Sequence, residues 1–299
     1  MNFDLFPQLL AQTQPSGPLQ FVDSLARTPL SQVTIFVAVC TLIRMLVLPK
    51  LVGTAQHQRF GASYGGIKFL NEAMDALIYA GVIVFLVIRP FVLQTFYIPS
   101  GSMLNTLQLN DFIVANKAVY RFSEPKAGEI VVFRPPERGK IPGTGDTDYI
   151  KRLIGTPGQV IEIKGGKLYR DGQMVNEPYV TNRASDRDGT LLPVEAKYDW
   201  KLVKDGDTYL PLQIRDGQYV NSDPEFTCQE YMVDPVDDAE NARLLALPPV
   251  KIPAGYYLMV GDNRNGSFDG RAWGLVDRKN IVGRSEFIWM PIKRMGATK

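Results

Sequence analysis

The sequence is poor in histidine and cysteine and nearly neutral in net charge. His57 is the only histidine, so any Ser-His-Asp, Cys-His or multi-histidine metal mechanism would need that one imidazole. Cys40 and Cys228 are too few for a disulfide framework or for a structural zinc site of their own. The 33 Lys and Arg residues against 31 Asp and Glu residues give a net charge of +2, and no basic run is longer than two residues. We therefore expect no nucleic-acid partner.

The sequence does contain enough apolar residues for a core and many turn residues. Its 299 residues, 45% of them apolar, correspond to about two domains at roughly 150 residues each. The 26 glycines and 21 prolines together make up about 16% of the chain, against a usual share of about 12%. This composition favours a turn-rich β architecture over a helical bundle.

Two long apolar runs lie near the N-terminus. One covers residues 28–49 with Arg44 as its only charge, and the other covers residues 76–98 with Arg89 as its only charge. At 1.5 Å per residue, a helix over either run can cross a hydrocarbon layer of about 30 Å. Two buried core helices are the alternative, which the lack of an amphipathic stripe disfavours. The sequence therefore predicts two transmembrane helices.

Basic residues predict the orientation of these two spans. The loop at residues 50–75 carries three basic residues, whereas the N-terminal tail at residues 1–27 carries only Arg27. Loops rich in Lys and Arg stay on the cytoplasmic side of a membrane. We therefore expect loop 50–75 to be cytoplasmic and everything after Ile98 to lie on the other side.

After Ile98 the sequence changes to short runs rich in Val, Ile, Phe and Tyr, bounded by Gly, Pro and Asp, which are typical of strands. Gly165-Gly166 and Asp171-Gly172 predict two successive hairpin turns. The predicted strands lie within residues 111–117, 128–134, 148–155, 159–163, 255–262 and 281–290.

Residues 181–250 are more polar and irregular than the sequence around them and contain one potential short helix at residues 237–247. This pattern is typical of an insertion. We predict a mainly β fold in which residues 99–180 and 251–299 form one antiparallel β domain, interrupted by an inserted second lobe at residues 181–250.

A hydroxyl nucleophile in the β domain needs a base other than histidine, because His57 falls in the predicted cytoplasmic loop. A lysine can serve if burial lowers its pKa from about 10.4 towards neutrality. Lys151 is one candidate, because strand alternation places it on the same face as Tyr149 and Leu153, opposite Arg152. A solvated edge position is the alternative for a Lys-Arg pair in a strand.

The turn Ser100-Gly101-Ser102 follows Pro99 directly after the second apolar run. Glycine permits backbone geometries that expose a hydroxyl group and direct an N–H group at it. A simple connector between helix and strand explains the same residues, so this turn alone does not establish a nucleophile.

Three segments carry these candidates: IPSGSM from Ile98, DYIKRLIG from Asp148 and GDNRNGSFDGRAWG from Gly261. Together they resemble, in order and separation, the three signature boxes of type I signal peptidases, also called leader peptidases. Residues 180–250 match only as the variable insertion of that family. The resemblance implies a membrane-bound serine endopeptidase that removes signal peptides from exported preproteins after small residues, at sites of the A-x-A type. It implies a Ser-Lys dyad with no cofactor and no metal.

The resemblance also implies roles for individual residues. Ser102 matches the nucleophile and Lys151 matches the general base. The Ser100 hydroxyl matches an oxyanion-hole donor that acts with the backbone N–H of Ser102, and Ser267 matches the hydroxyl that orients the lysine. Two ion pairs, Asp262 with Arg152 and Asp269 with Arg271, match structural support. The residues expected to line shallow pockets for small substrate side chains are Ile98, Pro99, Met103, Tyr149 and Ile150.

Two positions depart from the family pattern. Asn105 stands where the family usually has proline, and Gly270 stands where it commonly has serine. Neither residue transfers a proton, so we expect changed loop geometry or efficiency and not a loss of activity.

The resemblance implies signal-peptide-bearing preproteins, the lipid bilayer and the export translocon as partners. It implies a multi-pass protein of the bacterial plasma membrane with its catalytic domain on the extracytoplasmic side. Two other functions stay open. A catalytically silent, membrane-anchored β module could bind export partners, and the self-cleaving repressors carry a Ser-Lys dyad on a β domain, although they also carry a DNA-binding helix-turn-helix.

Overall fold

The computed structural model describes residues 28–53, 62–88, 91–140, 147–181, 183–185, 191–193, 199–215, 218–220 and 238–298. The described residues form two compact units, one that ends at Thr95 and one that runs from Phe96 to the C-terminus. The predicted tail at residues 1–27 lies outside the described residues.

The N-terminal unit is helical. Helix α1 (Leu30–Gly53) and helix α2 (Ala62–Val82) pack against each other, and a π-helical segment (Ile83–Ile88) follows α2. The guanidinium of Arg44 on α1 lies 2.8 Å from the carboxylate of Asp75 on α2.

Of the described helices, one, Ser31–Gly53, is long and apolar enough to cross a membrane. The predicted second span at residues 76–98 is not a single helix, because α2 and its π-helical continuation end at Ile88 and residues 93–97 form a strand. Helix α2 also begins at Ala62, well inside the predicted loop, and carries several charged residues that the first span lacks. Arg89 and residues 54–61 lie outside the described residues.

The second unit consists mainly of antiparallel β-structure, as predicted. Strand β1 (Leu93–Tyr97) crosses the boundary between the units. In chain order the further strands are β2 (Phe112–Asn116), β3 (Ile130–Phe133), β4 (Tyr149–Gly155), β5 (Ile161–Lys164), β6 (Lys167–Arg170), β7 (Gln173–Met174), β8 (Arg183–Ser185), β9 (Leu191–Pro193), β10 (Asp199–Asp205), β11 (Thr208–Arg215), β12 (Gln218–Val220), β13 (Tyr256–Val260), β14 (Val276–Asp277), β15 (Ile281–Met290) and β16 (Gly296–Ala297). Short helices α3 (Val119–Phe122), α4 (Asp238–Ala246) and α5 (Gly270–Trp273) accompany them.

The strands form two main sheets. The larger has the order β1-β2-β15-β3-β4-β13-β14, with β16 also paired to β15, and the smaller has the order β12-β11-β10-β5-β6-β7. The predicted hairpin turns between β5, β6 and β7 are confirmed, with positive φ at Gly165, Gly166, Asp171 and Gly172. The smaller sheet takes strands from both sides of residue 181, and the predicted short helix forms as α4.

Strand β4 is buried along most of its length, and this burial positions the candidate site. Leu153 packs with Phe133 and Met259 of the larger sheet. Ile154 packs with a cluster that includes Trp200 of the smaller sheet. Both faces of the strand contact apolar residues. The charged residues of β4, Lys151 and Arg152, are also buried.

Candidate active site

Ser102 lies in a 3₁₀ turn, Gly101–Met103, between β1 and β2. Ile98, which precedes this turn, and Met103, its last residue, are almost fully buried in one hydrophobic cluster. The backbone of Ile98 also exchanges hydrogen bonds of 2.9 and 3.0 Å with Asp111 and Asn110. Apolar packing and backbone pairing therefore hold the serine turn from both sides.

Lys151 faces this turn from the middle of β4. Lys151 is the register partner of Val131 on β3, and only 5% of the Lys151 surface is exposed. Its Nζ atom donates a hydrogen bond of 2.6 Å to Oγ of Ser102. The ring of Tyr149, on the same strand face as predicted, has its centre 5.8 Å from Nζ.

Burial lowers the pKa of Lys151 from its ordinary value of 10.5 to about 8. The negative charges of Asp269 and Asp262 raise the pKa and oppose this effect in part, whereas the positive charge of Arg271 lowers it further. A large fraction of the Lys151 amine is therefore neutral in mildly alkaline solution. A neutral amine beside a serine hydroxyl can accept its proton.

The loop after β13 contacts the serine turn through its backbone. The N–H group of Asn263 donates to the carbonyl oxygen of Ser102 at 3.1 Å, and its side-chain amide donates to the carbonyl of Gly101 at 3.1 Å. Gly261 lies so close that a Cβ atom there would be 2.6 Å from the Ser102 carbonyl oxygen, and it would also collide with the Ser267 side chain. Only glycine fits at residue 261 without movement of the serine turn.

The hydroxyl groups of Ser100 and Ser267 differ in their relation to the dyad. Ser100 is exposed, and its Oγ atom lies 3.3 Å from Oγ of Ser102. Oγ of Ser267 is buried and makes no hydrogen bond of standard geometry to the described residues. It lies close enough to Asp269 to help lower the pKa of that carboxyl. A hydrogen bond from Ser267 to Lys151 is thus not formed in this structure.

Asp262 and Arg152 form a buried ion pair next to the dyad. Nε and Nη2 of Arg152 donate to the two carboxylate oxygens of Asp262 at 2.8 and 2.7 Å. Nη1 of Arg152 donates to the carbonyl of Gly128 at 2.7 Å, and the guanidinium stacks on the ring of Tyr179 with 3.7 Å to its centre. The buried charges of this pair are therefore balanced by each other, by hydrogen bonds and by the stacked ring.

Asp269 and Arg271 form the second ion pair. Nε and Nη2 of Arg271 each lie 2.9 Å from a carboxylate oxygen of Asp269, which also accepts the N–H of Gly261 at 2.9 Å. Burial alone would raise the pKa of Asp269, but the Arg271 charge and these hydrogen bonds hold it below its ordinary value. The Asp269 side chain also caps helix α5.

The described residues contain no group of three or more His, Cys, Asp or Glu side chains placed to hold a metal ion.

Comparison with known proteins identifies the family of this chain. Residues 70–290 match the family described as signal peptidase, peptidase S26. The chain belongs to this family. It is 32% identical over 230 residues to the probable signal peptidase I-1 of a Synechocystis strain. The aligned residues cover 77% of this chain and 87% of that protein. It is 30% identical over 217 residues to the signal peptidase I of Leptolyngbya laminosa, covering 72% of this chain and 77% of that one.

A proteobacterial relative, the signal peptidase I of Pseudomonas aeruginosa, is 32% identical over 229 residues and covers 69% of this chain and 67% of that protein. As a member of the signal peptidase family, the chain is a serine peptidase that removes signal peptides from preproteins. The expected resemblance is confirmed.

The predicted substrate-lining residues of this signal peptidase fall into two groups. Ile98 and Met103 are 2% and 1% exposed and belong to the hydrophobic core. Pro99, Tyr149 and Ile150 are half-buried beside the dyad segments. Contact of any of the five with a substrate stays a prediction.

One departure from the signal peptidase pattern has a local structural reason. A Cβ atom at Gly270 would lie 2.8 Å from the Met259 carbonyl oxygen and 2.9 Å from a methyl group of Leu258. The first turn of α5 approaches β13 too closely for the serine that the family commonly has. Asn105, the other departure, is exposed on the loop after the serine turn.

Sequence reasoning missed several residues that support this signal peptidase site. Thr106 donates a hydrogen bond to Asp262. Glu177 and Arg264 form an ion pair of 2.6 Å in which both side chains are more than 90% buried. Arg264 lies inside the third signature segment, but its partner is 87 residues away. Because each contact joins distant parts of the chain, no local pattern announces it.

Proposed function

We propose that this signal peptidase cleaves by a Ser102–Lys151 dyad through an acyl-enzyme. The observation that carries the proposal is the 2.6 Å separation of Lys151 Nζ and Ser102 Oγ, with both residues buried. The lowered pKa of Lys151 supports the same role. The membership of the serine peptidase family disfavours a silent β module and a self-cleaving repressor.

In the proposed first half-reaction, the neutral Lys151 amine takes the proton of Ser102 as Oγ attacks the scissile carbonyl carbon. The negative oxygen that develops would accept hydrogen bonds from the Ser102 N–H and the Ser100 hydroxyl. The peptide C–N bond then breaks, and the Lys151 ammonium returns the proton to the leaving amine. These steps leave the signal peptide as an ester on Ser102.

In the second half-reaction, Lys151 takes a proton from a water molecule as the water attacks the ester. The Ser102 oxygen leaves and regains a proton from Lys151, which restores the dyad. The ion pairs of Asp262 with Arg152 and of Asp269 with Arg271 would hold the three signature segments in place without transferring protons. Ser267 would orient the lysine only after a rotation of its side chain.

We propose that the preferred cleavage sites have small residues at positions −3 and −1, the A-x-A pattern. The supporting observation is that Ile98 and Met103 are packed in the hydrophobic core next to Ser102, so that their side chains offer little surface to a substrate. Pro99, Tyr149 and Ile150 would form that surface.

We also propose that the protein is a multi-pass protein of the bacterial plasma membrane, with the catalytic unit on the extracytoplasmic side, near lipid and the translocon. Helix α1 supports one span by its length and composition. The Arg44–Asp75 pair supports a second, because Arg44 partners Asp75, one of the charges that would oppose entry of α2 into lipid. Protease added to spheroplasts should degrade the chain after residue 99 and spare loop 50–75, and the reverse pattern would refute this orientation.

The decisive test of the mechanism is cleavage of a purified preprotein by the full-length protein and its Ser102→Ala variant. We expect a loss of roughly 10³-fold or more in kcat for this variant and for Lys151→Met. Ser123→Ala is the matched control, because the Ser123 hydroxyl donates to the carbonyl of Val119 on an exposed helix end. Unchanged cleavage by Ser102→Ala would overturn the proposal.

A further inference from the structure

Thr106 lies four residues after Ser102, in the segment that leads from the serine turn to β2. Its hydroxyl donates a hydrogen bond of 2.5 Å to Oδ2 of Asp262. The same oxygen accepts Nη2 of Arg152 at 2.7 Å, and Asp262 is fully buried. Thr106 lies outside the three signature segments.

A single carboxylate thus connects the two segments that carry the dyad. On one side it binds Arg152, whose neighbour in β4 is Lys151. On the other side it binds Thr106, in the segment of Ser102. The serine turn also accepts the N–H of Asn263, the residue after Asp262. Any movement of Thr106 relative to Asp262 would therefore change the position of Ser102 relative to Lys151.

The backbone of Thr106 is anchored independently of its hydroxyl. Nη2 of Arg294 lies 3.3 Å from the Thr106 carbonyl oxygen and 2.9 Å from the carboxylate of Asp111. Asp111 is fully buried and accepts the N–H of Gln108 at 2.8 Å. Loss of the hydroxyl should therefore leave the segment folded and free only its links to Asp262 and to Nη2 of Arg152, which lies 3.5 Å from Oγ1 of Thr106.

We propose that Thr106 is a positioning residue that sets the Ser102–Lys151 geometry through Asp262. The proposal rests on the Ser-Lys mechanism proposed above. A displacement of about 1 Å at reacting atoms can lower a rate by about 10²-fold, so a small shift is sufficient for a measurable effect. Substrate binding should be little affected, because Thr106 acts on the dyad and not on the substrate.

The test compares Thr106→Val, Thr106→Ser and Thr298→Val in the full-length protein with a purified preprotein as substrate. Thr106→Val should lower kcat at least tenfold with KM within about twofold, and Thr106→Ser, which keeps the hydroxyl, should keep kcat within about twofold. Thr298→Val is the matched control, because it also removes one half-buried hydroxyl that donates to an oxygen, here the Ser285 carbonyl at 2.8 Å. Its kcat should be unchanged.

The pH profile separates positioning from general loosening of the site. Thr106→Val should keep the acidic limb of its rate profile where the parent has it, because Lys151 stays buried. A limb displaced towards the pKa of a hydrated lysine would overturn the proposal, as would a kcat of Thr106→Val within twofold of the parent. Equal losses in Thr106→Ser and Thr106→Val would also overturn it.

Three further outcomes are informative. If Thr106→Val and Thr106→Ala both fail to fold while Thr298→Val folds, Thr106 has a structural role and the positioning proposal is wrong. If Ser102→Ala cleaves normally, the dyad mechanism itself fails. If Ser102→Ala is inactive and Thr106→Val is fully active, only the inference about Thr106 fails.

Discussion

Gly261 packs directly against the carbonyl oxygen of Ser102, with no room for a methyl group between them. The Ser267 side chain borders the same space. We predict that Gly261→Ala displaces the serine turn and lowers kcat by about 10²-fold or more. Circular dichroism should show a folded chain, and kcat measurement with a preprotein checks the effect. Parental activity would contradict the close packing.

A second prediction concerns pH. Lys151 must be neutral to accept a proton, and burial lowers its pKa to about 8. Activity should therefore rise with pH and level off above about 8, instead of rising up to the 10.5 of a hydrated lysine. A kcat/KM profile with one preprotein checks this, since it reports groups of the free enzyme. An acidic limb centred above pH 10 would contradict a buried base.

Charged neighbours should shift this limb in opposite directions. Asp269 raises the pKa of Lys151 and Arg271 lowers it. We therefore expect Asp269→Asn to move the acidic limb to lower pH and Arg271→Met to move it to higher pH. Both variants break a buried pair and should lose about 3 kcal/mol or more of stability, so profiles are recorded at a temperature where each is folded. Shifts of the same sign in both variants would contradict this assignment of charges.

The buried base should reduce the stability of the fold. Because the folded-state pKa of Lys151 lies below that of the unfolded chain, its cost is full below pH 8 and disappears as pH rises towards 10.5. Lys151→Met should therefore raise the free energy of unfolding at pH 7 by about 3 kcal/mol while abolishing cleavage. Denaturant unfolding at pH 7 and pH 10 checks this, and the gain should shrink at the higher pH. An equal gain at both values would contradict the linkage.

Local patterns predicted the β domain well and the second apolar run poorly. The hairpin turns form at Gly165-Gly166 and Asp171-Gly172 because turn chemistry is encoded in adjacent residues. Residues 93–97 belong to the same apolar run, 76–98, as the helical residues before them, and only their pairing with β2 makes them a strand. Hydropathy contains no information on that pairing.

The site shows the same division between local and distant information. Strand alternation was enough to put Lys151 and Tyr149 on one face. Family resemblance, and not spacing, suggested that Ser102 meets Lys151. The contacts of Thr106 with Asp262 and of Glu177 with Arg264 join segments 156 and 87 residues apart, so no periodicity could indicate them.

The ion pair between Arg152 and Asp262 spans 110 residues of chain and joins the first third of the catalytic unit to its last fifth. A nascent polypeptide that stops short of Asp262 lacks both the Asp262 carboxylate and the Asn263 amide that hold the serine turn. We therefore expect the enzyme to stay latent during its own biosynthesis. Proteolytic competence would arrive only when the carboxy-terminal strands emerge from the ribosome and close the sheet.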